Sequence, residues 1–410
     1  MLNKRVLSGL LMMALVAVFT SGIAAQDKTV IRVWTGSSSP VENDFKTKQV
    51  ADFEAANPDI DIDLLVSPDY GTQIQTAFGS GDYPEVFTVG QFDFPTLQDS
   101  GVIASGEGKI DDVEDIYPNL LAAFSVDGVP YCVPKDFSTL ALFYNKDAFD
   151  AAGLDYPTAD TTWDELYADA EALTDDTMKG MSVAADRNRW LAFYAETNGA
   201  GLFDDEGNIK FNSPEAITSL DYYTSFVADG YGATPKDLGT GWNGEAFGSG
   251  KAAMTVEGNW AIGYLDETFP DLNWGVAEIP TPEDGEKGTL TFTECWAVAG
   301  NIEGAKLDAA WKVVNYFTGK EGAAAVAEAG FGVMPARISA GPAWLEKRGA
   351  DFEPFVKGAD YAWAPVFPLG YADFTDVIDK GFDSVLTGDA TPQELLDEAA
   401  GVAEEIMAEG

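Results

Sequence analysis

The chain has 410 residues, with 68 Asp and Glu against 24 Lys and Arg, a formal net charge of -44, no histidine and two cysteines. That charge argues against a nucleic-acid binder, which needs a basic face for phosphate. The lack of histidine excludes imidazole metal sites, Ser-His-Asp triads and Cys-His dyads, and a 46% hydrophobic content with 10 Trp, 15 Tyr and 25 Phe excludes a disordered acidic chain.

Residues 1–25 carry Lys4 and Arg5, an apolar run over 6–19 and the small-residue exit Ser21-Gly22-Ile23-Ala24-Ala25. This is the pattern of a secretory signal peptide cut after Ala24 or Ala25. The apolar core is short for a membrane span and runs into Gln26-Asp27-Lys28. No cysteine stands at the exit, so no lipid anchor is expected, and no later segment is apolar enough to span a bilayer. The expected product is a soluble exported protein, periplasmic or extracellular, with a charge near -46 once the two cations of the leader are gone. Such acidity fits a surface tuned to a saline medium, or an exterior that tolerates acid around an uncharged ligand.

In chain order, 29–34 reads as a strand and 44–56 as an amphipathic helix with Phe45, Val50 and Phe53. The alternation over 59–64 gives a strand with one wet face, 70–78 a helix and 85–89 a strand. That βαβαβ order predicts a doubly wound parallel sheet, with ligands beyond the carboxyl ends of its strands at 35–39, 67–70 and 90–93. Further on, Thr162-Trp163-Asp164-Glu165 is a capping box opening a helix. Ser213-Pro214-Glu215 starts another that stops at Gly230, and Thr391-Pro392-Gln393-Glu394 starts the last. No solenoid repeat and no low-complexity linker occurs, which favours two lobes joined by several crossings.

The run Gly128-Val129-Pro130-Tyr131-Cys132-Val133-Pro134, then Leu142-Phe143-Tyr144-Asn145-Lys146-Asp147, then Thr162-Trp163-Asp164-Glu165, resembles the extracellular solute-binding proteins of carbohydrate ABC importers, the group of the maltose-binding proteins. Val33-Trp34, Gly81-Asp82-Tyr83-Pro84-Glu85-Val86 (Glu85 for the usual Asp), Phe247 to Met254, Gly258-Asn259-Trp260, and Trp274-Gly275-Val276 with Glu294-Cys295-Trp296 extend it over nearly the whole chain. The resemblance implies a type II periplasmic-binding-protein fold, α/β, with two lobes of mainly parallel sheet, three hinge crossings and a ligand clamped between the lobes. By analogy one lobe is 26–137 plus 293–345, the other 138–292 plus 346–410. It also implies a monomeric sugar receptor that meets a membrane permease, without catalysis, metal or cofactor.

A sugar offers hydroxyls at its edge and C–H faces, so a receptor needs planar aromatics with carboxylates and amides around them. Trp260, in the family's G-x-W, is the foremost stacking candidate, flanked by Glu257 and Asn259. Trp34 ends the first strand and is either a cleft residue or core. Ser37 and Ser38 are ligand contacts or plain turn residues. Gln91 and Asp93 follow the third strand. Trp190 lies in Asp186-Arg187-Asn188-Arg189-Trp190, whose two arginines either pair with local acids or meet an acidic sugar. Trp242 sits among polar neighbours, and Phe374 opens a late helix where such receptors often place an aromatic. Asp204-Asp205-Glu206-Gly207-Asn208 lacks calcium-loop spacing and reads as a turn.

Two other functions compete. A secreted glycoside hydrolase needs only a suitable pair of carboxylates, and a receptor could take a non-sugar solute such as a polyamine. The family resemblance also places Cys132 and Cys295 on adjacent antiparallel strands, within reach of a disulfide in an oxidising compartment; two buried free thiols are the alternative.

Overall fold

The computed structural model describes residues 28–36, 40–197, 201–204, 208–330, 332–363 and 371–409. The expected signal peptide, Ser37 and Ser38 lie outside that set, as do residues 205–207 of the acidic turn.

The βαβαβ start forms as its pattern predicts: β1 (Thr29–Gly36), a helix Pro40–Ala56, β2 (Ile60–Ser67), a helix Tyr70–Ser80 and β3 (Val86–Gly90). β1 lies parallel to both β2 and β3. Its period of two divides its side chains between two cores. Ile31 and Val33 pack with Phe53, Trp311 and Phe317 on one face, and Trp34 packs with Ile74, Ala77 and Phe87 on the other.

A short hairpin, β4 (Ser125–Val126) and β5 (Val129–Pro130), turns on Asp127 and Gly128, both with positive φ (52° and 77°). This is the backbone a two-residue hairpin loop requires, and Asp-Gly is suited to it. β6 (Cys132–Asn145) then runs 14 residues through the middle of the molecule. The later strands are β7 (Lys179–Ser182), β8 (Gly232–Ala233), β9 (Ala252–Gly258), β10 (Trp274–Ala277), β11 (Thr289–Val298), β12 (Met334–Pro335) and β13 (Ala362–Trp363).

The sheet order is β2-β1-β3-β11-β6-β9-β7-β8. Parallel pairing holds in β2-β1-β3 and in β9-β7-β8, and the antiparallel strands β6 and β11 join the two units. The result is an α/β fold of two lobes on a mixed sheet. β6 changes partners midway: Phe137 and Ser138 face β11, while Leu140 to Tyr144 face β9. Near residue 345 the chain is helical, within Gly341–Arg348.

The helix starts follow their sequence signals. Thr162 and Glu165 form the reciprocal capping box, Ser213 caps Pro214–Ala228 through the Ala216 amide, and Thr391 and Glu394 exchange hydrogen bonds at the last helix. Cys132 and Cys295 are bonded, with Cα atoms 5.7 Å apart. The register shifts between Glu294 and Cys295, so that Cys295 opposes Pro134 and Cys132 opposes Ala297. The bond therefore runs diagonally across one sheet face. Among the described residues no helix is long and apolar enough to cross a membrane.

Candidate functional site

A cavity of about 440 Å³ opens at the carboxyl ends of β1 and β3 and against the middle of β6 and β11. Gly36 comes from the end of β1, and Gly90, Gln91 and Phe92 from the end of β3. Lys135, Asp136 and Ser138 come from β6, Phe292, Thr293 and Glu294 from β11. Glu42, Trp260 and Val333 complete the wall. Two of the three strand ends singled out by the sheet rule are thus at the cavity; 67–70 is not.

One wall is charged. Lys135 pairs with its neighbour Asp136 and lies 3.3 Å from Glu294. Burial alone would lower the Lys135 ammonium, but Asp136, Glu294 and Glu42 outweigh it and hold it above its ordinary value. Burial pushes the Asp136 carboxyl up, with Lys135 opposing. Beside them Lys46 pairs with Glu42 at 2.8 Å and donates to Thr35 Oγ1 at 3.3 Å; burial, then the charge of Lys135, pull it down. Adjacent donors and acceptors of fixed charge are suited to the vicinal hydroxyls of a polyol.

The other wall is aromatic. Trp260 precedes the helix Ala261–Thr268 and meets Phe292 edge-on, with centroids 5.4 Å apart. Its ring packs so closely on Gly258 that a Cβ there would come within 2.2 Å of it, which explains the glycine of the G-x-W motif. Arg189 lies over the ring, 5.7 Å from its centroid.

Of the residues expected from sequence, Trp260 and Gln91 line the cavity. The Gln91 amide is engaged with β11, donating to Thr291 O at 3.1 Å and accepting from Thr293 N at 3.0 Å. Asp93 stands just outside, its carboxyl pushed up by burial and then by the charge of Glu294.

The remaining expected residues lie elsewhere. Trp34 packs with Ile74, Ala77 and Phe87 and lines a separate groove with Thr72, Thr76 and Asp82. Trp190 is fully buried, stacked on Tyr194 and donating to Ser219 Oγ at 2.9 Å. Phe374 is core, stacked on Phe211 at 5.2 Å. Trp242 packs on Tyr264 at 5.0 Å, against a cluster with Phe247 and Trp344.

Glu257 turns into the protein and accepts from Arg189 at 2.7 Å. Burial pushes its carboxyl up, with Arg189 opposing. Asn259 is buried and donates to Gly332 O at 2.9 Å. Both arginines of the 186–190 segment pair with acids, Arg187 with Asp379 and Arg189 with Glu257 and Asp186. In the acidic turn Asp204 accepts from the Asn208 amide, and no group of three acids or cysteines among the described residues could hold a metal.

Sequence reasoning passed over the charged wall. Its signal was present: Lys135-Asp136 are adjacent charges inside a strand otherwise uncharged and mostly buried, a costly placement without a partner or a task. Phe92 lay between the two polar residues chosen from the same loop.

Residues 37–324 match the family model of the bacterial extracellular solute-binding proteins. The chain belongs to that family. A binding protein of Brucella abortus is 26% identical over 99% of this chain and all of its own length. The multiple sugar-binding protein of Streptococcus mutans is 25% identical over 66% of this chain and 67% of its own. The ABC substrate-binding protein of Listeria monocytogenes, solved with cycloalternan, is 27% identical and covers 93% of this chain and 100% of its own, with a TM-score of 0.82. The fold is that of the type II periplasmic binding proteins, and the family is one of extracellular receptors that work with ABC permeases, binding proteins rather than enzymes.

Proposed function

We propose that this protein is an extracytoplasmic receptor that binds a neutral oligosaccharide in the cavity and delivers it to an ABC permease, without catalysing a reaction on it. The observation that carries the reading is the facing of an aromatic wall, Trp260 with Phe92 and Phe292, by the ionic edge of Lys135, Asp136 and Glu294. A sugar presents C–H faces to the first and hydroxyls to the second. The volume lies within the range of about 300–1,000 Å³ usual for small-molecule sites, and the sugar ligands of the Listeria and Streptococcus relatives support the solute class.

The proposal includes lobes of 26–137 plus 293–345 and 138–292 plus 346–410, turning about the point where β6 exchanges β11 for β9. It also includes removal of the leader after Ala24 or Ala25, and action as a monomer. A thermal-shift panel of glucose, maltose, maltotriose, mannotriose and spermidine tests it. A sugar at a hundred times its Kd raises stability by about 2.7 kcal/mol. A shift with spermidine alone, or hydrolysis of an oligosaccharide by the pure protein, would refute it.

A further inference from the structure

The aromatic wall is braced by a cation outside the cavity. The Arg189 guanidinium lies over the Trp260 ring and is fixed by two carboxylates: Nη2 donates to the buried Glu257 at 2.7 Å, and Nη1 to Asp186 at 3.3 Å. Asp186 is itself immobilised as the cap of the helix Arg187–Tyr194, accepting from the Asn188 and Arg189 amides. Arg189 is not part of the cavity lining, whereas Trp260 is.

We infer that Arg189 is a positioning residue that acts through Trp260, holding the indole for a neutral polyhydroxyl ligand. The inference rests on the sugar reading above. This follows from confinement. With Gly258 against the ring, Phe292 at its edge and a doubly anchored guanidinium over it, the indole is held before a ligand arrives, so less of the contact energy is spent on ordering it.

The test is a double-mutant cycle on the full chain, titrated with maltose, maltotriose, mannotriose and spermidine. Trp260→Ala should weaken the best sugar about a hundredfold. Arg189→Met should weaken it about tenfold and Arg189→Lys less, while adding Arg189→Met to Trp260→Ala should change nothing further. Since Arg189→Met leaves Glu257 unpaired, Arg189→Met with Glu257→Gln serves if the single variant does not fold. If no sugar binds, or Trp260→Ala binds normally, the sugar reading falls and takes the inference with it. If Trp260→Ala is weakened but Arg189→Met is not, or the two effects add, only the role of Arg189 is overturned. Spermidine bound in place of any sugar likewise overturns the sugar reading.

Discussion

Lys135–Asp136 and Arg189–Glu257 are both ion pairs largely removed from water, and they border the same cavity from different sides. The first lies in the lining and keeps Glu294 as a further, half-exposed acceptor. The second is closed off, with Glu257 1% exposed and the guanidinium shared between two carboxylates and a ring. A buried pair adds little net stability over apolar packing, yet breaking one is costly because a charge is stranded. The difference therefore separates recognition from rigidity. A pair that lines the cavity can bind hydroxyls, and a pair closed off from it can only hold its neighbours still.

Three substitutions would break or sharpen this contrast. The largest effect is expected at the sealed pair, where Glu257→Leu leaves Arg189 with Asp186 alone, at 3.3 Å, and should cost about 3 kcal/mol in urea unfolding. A loss below about 1 kcal/mol would mean that water reaches the pair. At the open pair, Lys135→Met should lower sugar affinity by about 2 kcal/mol, the worth of hydrogen bonds to a charged group, with a smaller shift in the unfolding midpoint than at Glu257. Equal affinity for the variant would move recognition away from this wall.

The smallest change tests a buried acid outside either pair. Glu196 is fully buried, and neither carboxyl oxygen has a well-formed hydrogen bond among the described residues. Burial pushes it well above the ordinary glutamate value, with Lys287 opposing. The folded protein then keeps a proton that the unfolded chain has already released, so stability from this group falls as pH rises above the ordinary value toward the raised one. Glu196→Gln should raise stability by about 1–2 kcal/mol at pH 7 and remove that decline. Parallel pH profiles of the two proteins would show that the carboxyl is solvated.

The first five elements were legible because each has a single strong period and sharp ends, and the caps at Thr162, Ser213 and Thr391 because capping is local chemistry. The aromatic site residues were far less so. Trp190, Trp242 and Phe374 stand beside polar residues in sequence, but a polar neighbour does not mark an open site: Asn243 and Thr375 are themselves buried, and the three rings pack in apolar clusters. Trp34 shares its face of β1 with Gly36, yet only that last residue of the strand reaches the cavity, and the ring two residues earlier packs with Ile74 and Ala77 of the helix Tyr70–Ser80. Trp260 differed because Gly258 removes the Cβ that would bar its ring from the cavity wall. The charged wall needed only a question not asked, namely what two adjacent ions do inside the longest strand.

The place of β11 has a consequence for the order of synthesis. β11 lies between β3 and β6, although it follows β6 by more than 140 residues of chain, with Asn145 ending one and Thr289 opening the other. Until that segment is made, β3 and β6 present unpaired backbone edges to each other across an empty position, the kind of edge that recruits wrong partners. The early strands therefore wait for a late one, and the bond between Cys132 and Cys295 cannot close before it arrives. A nascent chain of this protein carries both open edges until Thr289–Val298 has been made. A cut placed before Thr289 removes the strand that joins β3 to β6 and leaves Cys132 without its partner.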